Sequence, residues 1–329
     1  MTKLLLMKIF DPDTYIFGII LFFVLSYGLA ASLLFYICRR SLRRWLMVVV
    51  AITWTAWLGV LIYGLTDGIT NVVVRHEEFR SSDLPAAFDG YRIVQFSDAH
   101  VGTLSGWNKK VLKNAIDSIN AMEPDLIVFT GDLQNKKPSE IARHRKTLSR
   151  LKAKDGIYSV LGNHDYAIYL DLDPVKSMMN LEATIAEQTA LGWTVLANRH
   201  ILIHRDNQSI AIAGMENDGE GRFPQLGDIT NTLYGLSRQS FVVMLEHDPT
   251  SWRRKILPHS HCQLTLSGHT HGGQVELFGL SLAKLFYKES GGMYYQGDRA
   301  INVSTGLGGV VPFRLGVTPE VVVITLRTK

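Results

Sequence analysis

Two long runs without a charged residue set the outer limits on this chain. Tyr15 to Cys38 is one and Trp45 to Thr66 the other. Each exceeds the roughly 20 apolar residues that cross a bilayer. A helix of that length in a soluble core would carry a polar stripe, and these carry almost none. The reading is two transmembrane helices, about 15–38 and 45–66, forming a membrane anchor over residues 1–70. A cleaved signal peptide fits worse. The first run outlasts a signal's apolar region of about 7–15 residues, and the second run follows at once.

Arg39–Arg40–Ser41–Leu42–Arg43–Arg44 lies between the runs. It reads as a tight basic loop, and the positive-inside bias assigns such a loop to the cytoplasmic face. Lys3 and Lys8 are offset by Asp11 and Asp13. Both termini and the large C-terminal part are therefore expected outside the cytoplasm, in a multi-pass protein of the cell membrane. Residues 1–70 hold six Lys/Arg and three Asp/Glu, which leaves 28 basic and 27 acidic residues in the rest. The soluble part thus lacks the basic field of a nucleic-acid binder, and no nucleic-acid partner is expected. Arg253–Arg254–Lys255 reads as a solvated face. Of the two cysteines, only Cys262 lies in the soluble part, so that part forms no internal disulfide.

From residue 71 strand and helix signals alternate, the pattern of an α/β domain. Strands are expected at 71–75, 91–96, 126–129, 157–161, 193–196, 201–204, 210–213, 241–245, 263–266, 300–304 and 321–326. Val111, Leu112, Ala115, Ile116 and Ile119 recur at helical spacing within 107–122. Further helices are expected at 139–152 and from Pro174 to about Ala190.

Five of these strands run directly into residues that carry chemistry. Ser97–Asp98–Ala99–His100 comes after the first. Thr130–Gly131–Asp132–Leu133–Gln134–Asn135 comes after the next, then Gly162–Asn163–His164–Asp165, Glu246–His247–Asp248 and Ser267–Gly268–His269–Thr270–His271. Ligand sites in α/β sheets lie beyond the carboxyl ends of the strands, so five separate segments can converge. Imidazole and carboxylate suit Zn, Fe or Mn. Seven candidates (Asp98, His100, Asp132, Asn163, His247, His269 and His271) exceed one tetrahedral site and fit two metals sharing a carboxylate. The glycines are expected to leave room for an ion or a phosphate.

In this order the motifs Asp98-x-His100, Gly131–Asp132-x-x-Asn135, Gly162–Asn163–His164–Asp165, His247 and Gly268–His269-x-His271 resemble the calcineurin-like metallophosphoesterases. The likeness spans residues 71–329. The tail, Val303–Ser304–Thr305–Gly306–Leu307–Gly308 with Pro312–Phe313–Arg314 and Pro319–Glu320, is similar to the membrane-associated or exported bacterial branch. The resemblance implies two mixed β-sheets packed as a sandwich flanked by helices. It assigns Asp98, His100, Asp132 and His271 to one divalent metal (Mn, Fe or Zn). Asp132, Asn163, His247 and His269 would hold the other. His164 would act on the scissile phosphate, oriented by Asp165. A hydroxide shared by the metals would attack phosphorus in line with the leaving oxygen.

The expected function is thus that of a membrane-anchored phosphodiesterase acting on a lipid or cell-envelope phosphodiester. The alternatives are a phosphomonoesterase or nucleotide phosphatase, and a metal-loaded scaffold without turnover. Asn135 is read as fixing the loop after Asp132, and Asp248 as structural. Arg314 is read as a phosphate ligand or a salt bridge within the tail. Phe278–Phe286 is read as packing on the sheet, with a lid or membrane-facing flap as the other readings. Asp171–Ala190 is a candidate cap. His76, His144, His200, His204, His259 and His261 are taken as surface or packing residues.

Overall fold

The computed structural model describes residues 12–37, 40–104 and 106–329. It opens with helices α1 (Pro12–Ile37) and α2 (Arg40–Leu65). They meet through Tyr27, whose hydroxyl donates to the Val50 carbonyl (2.8 Å) and whose ring meets Trp54 edge-on at 5.3 Å. Leu29, Trp45 and Ile52 are exposed on these helices. Among the described residues one helical stretch, Arg44–Thr70, is long and apolar enough to cross a membrane; the apolar part of α1, Val24–Leu33, is shorter. The expected arginine loop is largely helix, since α2 already begins at Arg40. Arginine is a good helix former, so a basic run need not break the chain. Cys38 and Arg39 lie outside the described residues.

A single helical turn, Asp67–Thr70, joins α2 to β1 (Val73–Ser81). Then come β2 (Arg92–Phe96), α3 (Lys110–Ala121), β3 (Leu126–Thr130), α4 (Pro138–Leu148), β4 (Ile157–Val160), α5 (Pro174–Ala190) and β5 (Thr194–Val195). β6 (Arg199–Arg205), β7 (Gln208–Gly214), β8 (Val242–Leu245) and β9 (Leu264–Ser267) start a second sheet. A small hairpin, β10 (Glu276–Leu277) and β11 (Leu280–Ser281), precedes β12 (Gly292–Gln296), β13 (Arg299–Val303) and β14 (Glu320–Thr328).

The two six-stranded sheets run β1-β14-β2-β3-β4-β5 and β12-β13-β9-β8-β7-β6. β2 to β5 are parallel to one another, as are β7, β8, β9 and β13, while β14 is antiparallel to β2. Both faces of each sheet are covered, so the strands read as nearly continuous apolar runs. Ile93 of β2 joins Val128, Leu245 and Leu266 between the sheets. Its neighbours Val94 and Phe96 point the other way, onto Val111, Leu112 and Ile116 of α3. Trp252, Ile256 and Met244 cover the outside of the second sheet.

This layering aims the carboxyl ends of β2, β3, β4, β8 and β9 at one edge, where their loops knit together. Asp98 N–H donates to the Gly131 carbonyl (2.9 Å), His100 N–H to that of Asp132 (3.1 Å) and Gly268 N–H to that of His247 (3.0 Å). α5 opens on Pro174 behind an Asp173 cap that accepts from Lys176 N–H (2.9 Å). It packs against β4 and against the loop after β3. Its buried Thr184 donates to Gln134 Oε1 (3.0 Å), and Gln188 Oε1 accepts from Ser159 (2.6 Å). These buried hydrogen bonds fix the C-terminal half of α5 to the sheet.

Candidate metal centre

The seven side chains from five strand ends come together, five of them buried and the other two, His269 and His271, slightly open. His100 Nε2 lies 3.3 Å from His271 Nε2 and 3.6 Å from Asp132 Oδ2. His247 Nε2 lies 3.3 Å from the same Asp132 oxygen and 3.2 Å from Asn163 Oδ1. His269 Nδ1 is 2.8 Å from Asn163 Oδ1 and 3.3 Å from His247 Nε2. Asp98 Oδ1 is 3.6 Å from His271 Nε2. One Asp132 oxygen therefore stands between two groups of donors.

The backbone bends sharply to do this. Asp98, His100, Asp132, His269 and His271 all have positive φ, between 39° and 74°. Non-glycine residues seldom adopt that region, and strain of this kind collects at functional sites. Tight approach accompanies the bending. A Cβ on Gly268 would stand 2.0 Å from Ser97 Oγ and 2.3 Å from Asp98 Oδ2; one on Gly162 would stand 2.2 Å from Asp132 Oδ1. These glycines make room for neighbouring carboxylates, where open space for phosphate was expected.

The surrounding hydrogen bonds fix which atoms face inward. His247 Nδ1–H donates to the Thr130 carbonyl (2.7 Å), which turns Nε2 to the centre. Asn163 Nδ2 donates to Tyr169 Oη (3.1 Å), so Oδ1 faces His247 and His269. Such outer contacts normally set the tautomer and angle of a metal-binding imidazole.

Electrostatics fit a cation. Burial holds His269 below its usual pKa, lowers His100 to about 3 and, aided by His100 and Arg314, drops His271 well below the imidazole range. Ring nitrogens of His100 and His271, and of His247 and His269, converge to 3.3 Å in each pair. Burial lifts Asp98 to about 6. Burial also pushes Asp132 upward, but the charges of His247 and His164 outweigh it and hold the carboxyl well below its usual value. Burial lowers His247, yet Asp132 outweighs it and holds the ring well above its usual value. Buried carboxylates facing converging imidazole nitrogens make a field that a divalent cation satisfies. Three overlapping sets have ligand atoms within 4.8 Å of one another: Asp98–His100–His271, His100–Asp132–His164 and Asp98–Asp132–His247.

His164 stands beside this cluster, its ring 4.6 Å from that of His100. Asp165 does not hold it. The His164 Nδ1–H donates to the Asn135 carbonyl (2.7 Å). Asp165 instead accepts backbone N–H groups from Gly162, Asp132, Leu133 and Gln134 at 2.8–3.3 Å. A buried carboxylate beside four unpaired amides bonds them in preference to a ring already served by a carbonyl. Asp165 thus shapes the Asp132 and Asn163 loops, and Asn135 fixes more than its own turn.

Arg314 is buried within the tail, and its guanidinium donates to the carbonyls of Thr305 (2.7 Å), Gly306 (3.2 Å), Gly308 (2.6 Å) and Thr318 (3.3 Å). It is neither a phosphate ligand nor a salt bridge but a clamp on the loop beneath Asp98. Arg254 and Lys255 pair with buried Asp218 at 3.0 and 2.7 Å, so that cluster is no solvated face. Asp248 caps Thr250 N–H (2.9 Å) and also lies 3.4 Å from His269 Nε2. Four residues went unnoticed in the sequence: Tyr169, Phe223, Tyr287 and Arg222. Tyr287 Oη lies 3.0 Å from His269 Nε2, Phe223 meets the His269 ring edge-on at 4.7 Å, and Arg222 sits 5.9 Å over the Tyr169 ring. None belongs to a short motif, so no local signal marked them.

A sandwich of mixed sheets with a buried His/Asp/Asn cluster at one edge defines a class of metal-dependent phosphoester hydrolases. A family model described as calcineurin-like phosphoesterase matches residues 91–273, and the chain belongs to that family. Among its relatives is the Bacillus subtilis uncharacterized metallophosphoesterase YkuE, 36% identical over 76% of this chain and 83% of the relative. A Danio rerio transmembrane protein with metallophosphoesterase domain is 29% identical over 85% of this chain, which spans 62% of that protein. The Mycobacterium tuberculosis phosphopantetheinyl hydrolase PptH aligns at 14% identity over 67% of this chain and 90% of its own, with a TM-score of 0.42. Family and cluster together point to divalent metal binding.

Proposed function

We propose that this chain is a membrane-anchored phosphodiesterase that cleaves a lipid or other cell-envelope phosphodiester at a centre of two divalent metals. Asp98, His100, Asp132 and His271 would hold one ion, and Asp132, Asn163, His247 and His269 the other. The observation that carries this reading is the single Asp132 oxygen, 3.6 Å from His100 Nε2 on one side and 3.3 Å from His247 Nε2 on the other. When bound, the ions supply Lewis acidity that activates water and neutralises phosphoryl charge. The chain's own residues do the rest. His164, its Nδ1–H committed to the Asn135 carbonyl, leaves Nε2 to take up a proton and pass it to the leaving oxygen as the P–O bond breaks. Tyr169 braces Asn163 and Tyr287 braces His269, each through its hydroxyl.

The anchor would be two spans, about 15–38 and 45–66, with the catalytic domain (71–329) outside the cytoplasm. The stretch Arg44–Thr70 supports the second span, and an envelope substrate follows from a domain held against the bilayer. The test uses the full chain in detergent with Mn²⁺ and an aryl phosphodiester beside the matching monoester. Hydrolysis of the diester is expected, with metal content and turnover lost together in His271→Ala and Asn163→Ala. Activity retained in both variants sinks the site, and a strong monoester preference sinks the diesterase reading. Cysteine labelling from either side of the membrane tests the topology, which a cytoplasmic catalytic domain would overturn.

A further inference from the structure

The segment directly after the histidine turn is built inside out. Leu277, Phe278, Leu280, Leu282, Leu285 and Phe286 are exposed, Phe278 completely and the last four by 63% or more. Its buried members are the small Ser281 and Ala283. A contiguous apolar face of this kind marks an interaction surface.

The face is held in a set shape. Ser281 Oγ donates to the Gly272 carbonyl (2.6 Å) and accepts from Ala283 N–H (3.1 Å), while Glu276 N–H donates to the Leu315 carbonyl (2.8 Å). At the tip of the β10–β11 hairpin both central residues have positive φ, Phe278 at +52° and Gly279 at +78°. Such hairpin turns favour Asn-Gly. Here an aromatic ring takes the first position, against its backbone preference and without any packing in return.

Position identifies what covers the face. Gln274, at the hairpin's base, donates from Nε2 to the carbonyls of Val311 (2.7 Å) and Phe313 (2.8 Å), and its own carbonyl accepts from Leu315 N–H (2.9 Å). That same tail reaches the end of α2. Arg314 N–H donates to the Gly64 carbonyl (3.0 Å), the Phe313 ring lies directly over Gly64, and the Arg314 carbonyl lies against Gly68. The apolar hairpin is therefore two contacts from the end of the membrane-competent stretch Arg44–Thr70. Lys284 rides on it, paired with Glu276 at 3.1 Å, a cation of the sort that sits at a bilayer surface beside buried aromatic and leucine side chains.

We propose that Leu277–Phe286 is a second membrane contact, a hairpin that enters the lipid surface beside α2 and holds the mouth of the metal centre at headgroup level. The last clause rests on the phosphoesterase reading; the lipid contact does not. Tyr287, the next residue after the hairpin, reaches His269 Nε2 at 3.0 Å, so the distance from bilayer to centre is a matter of a few residues.

The test is a fluorescent label on the full chain in lipid nanodiscs. Phe278→Cys, Ile52→Cys and Asp298→Cys are each made with Cys38→Ser (Cys262 is buried) and labelled with an environment-sensitive dye. Quenching by lipid-borne nitroxide and protection from aqueous iodide are then read. The expected result is strong nitroxide quenching and at least a threefold loss of iodide quenching at 278 and at 52, with neither at 298. Quenching at 52 but water-like behaviour at 278 overturns the hairpin contact alone. Water-like behaviour at both overturns the span with it. A shielded label at 278 that lipid nitroxide fails to quench identifies a protein cover and also overturns the proposal. No outcome depends on turnover, so failure here is separate from failure of the enzymatic reading.

Discussion

The histidine turn (267–274) and the hairpin after it (277–286) are neighbours in sequence and opposites in chemistry. The first buries imidazoles and leans on buried carboxylates; the second exposes leucine and phenylalanine to the surroundings. Each inverts the usual sorting of polar and apolar groups. Both are held rigidly by small residues, Gly268 at one and Ser281 with Ala283 at the other. Neither arrangement lowers the energy of an isolated chain in water. Each reads as complementary to something else: a cation for the turn, a lipid surface for the hairpin.

That contrast can be broken at several points. The largest effect is expected inside. His271→Ala should cut turnover on an aryl phosphodiester by about 10³-fold, in line with removal of a key electrostatic group, and lower the metal content measured by mass spectrometry. Arg314→Met strikes the tail that both regions lean on. It leaves the carbonyls of Thr305 and Gly308 without their donor and Gly306 with only the Glu320 N–H, and should cost about 3 kcal/mol, read as a drop in thermal midpoint in detergent. Gly268→Ala drives a methyl group into Ser97 and Asp98. A loss of about 2 kcal/mol is expected for such overpacking, together with weaker metal retention on dialysis. The smallest effect belongs to the hairpin. Phe278→Asn suits the positive φ at that position and should leave stability in detergent within about 0.5 kcal/mol of the parent. A large destabilisation there would mean that the ring packs on the protein, and the contrast would fail.

The inward half of this contrast is far more legible in the sequence than the outward half. Strands ending in Asp, Asn or His stand out because the apolar runs β2, β3, β4, β8 and β9 stop abruptly at polar residues, and sheet topology then does the gathering. Helix α5 is readable from Pro174 onward. The β10–β11 hairpin and β12 are not, since Glu276–Leu277, Leu280–Ser281 and Gly292–Gln296 lack the unbroken apolar, β-branched runs that mark β2, β3 and β8. The outward orientation of Phe278–Phe286 hides for a different reason: hydrophobicity says a side chain leaves water, not whether protein or lipid receives it. The role of Asp165 hides because adjacency to His164 says nothing about unpaired amides arriving from the Asp132 loop. The five positive-φ donors depend on long-range bonds, such as Asp98 N–H to Gly131, that no local pattern encodes.

One feature of the first sheet bears on how such a chain is made. β14 lies between β1 and β2, pairing with Val73–Ser81 on one side and Arg92–Gln95 on the other. β1, which follows α2 through the turn Asp67–Thr70, has no other strand partner in the sheet among the described residues. While the ribosome is still working, α1 and α2 have already emerged and β2 to β4 can begin to associate, yet the slot beside β1 stays open. Residues 320–328, translated long after both of their partners, act as a wedge that joins β1 to the rest of the sheet. Until then two sheet edges are available for mispairing. A stall or nonsense codon anywhere before residue 320 would therefore yield a chain whose first sheet stays open beside β1, an obvious client for chaperones and proteases.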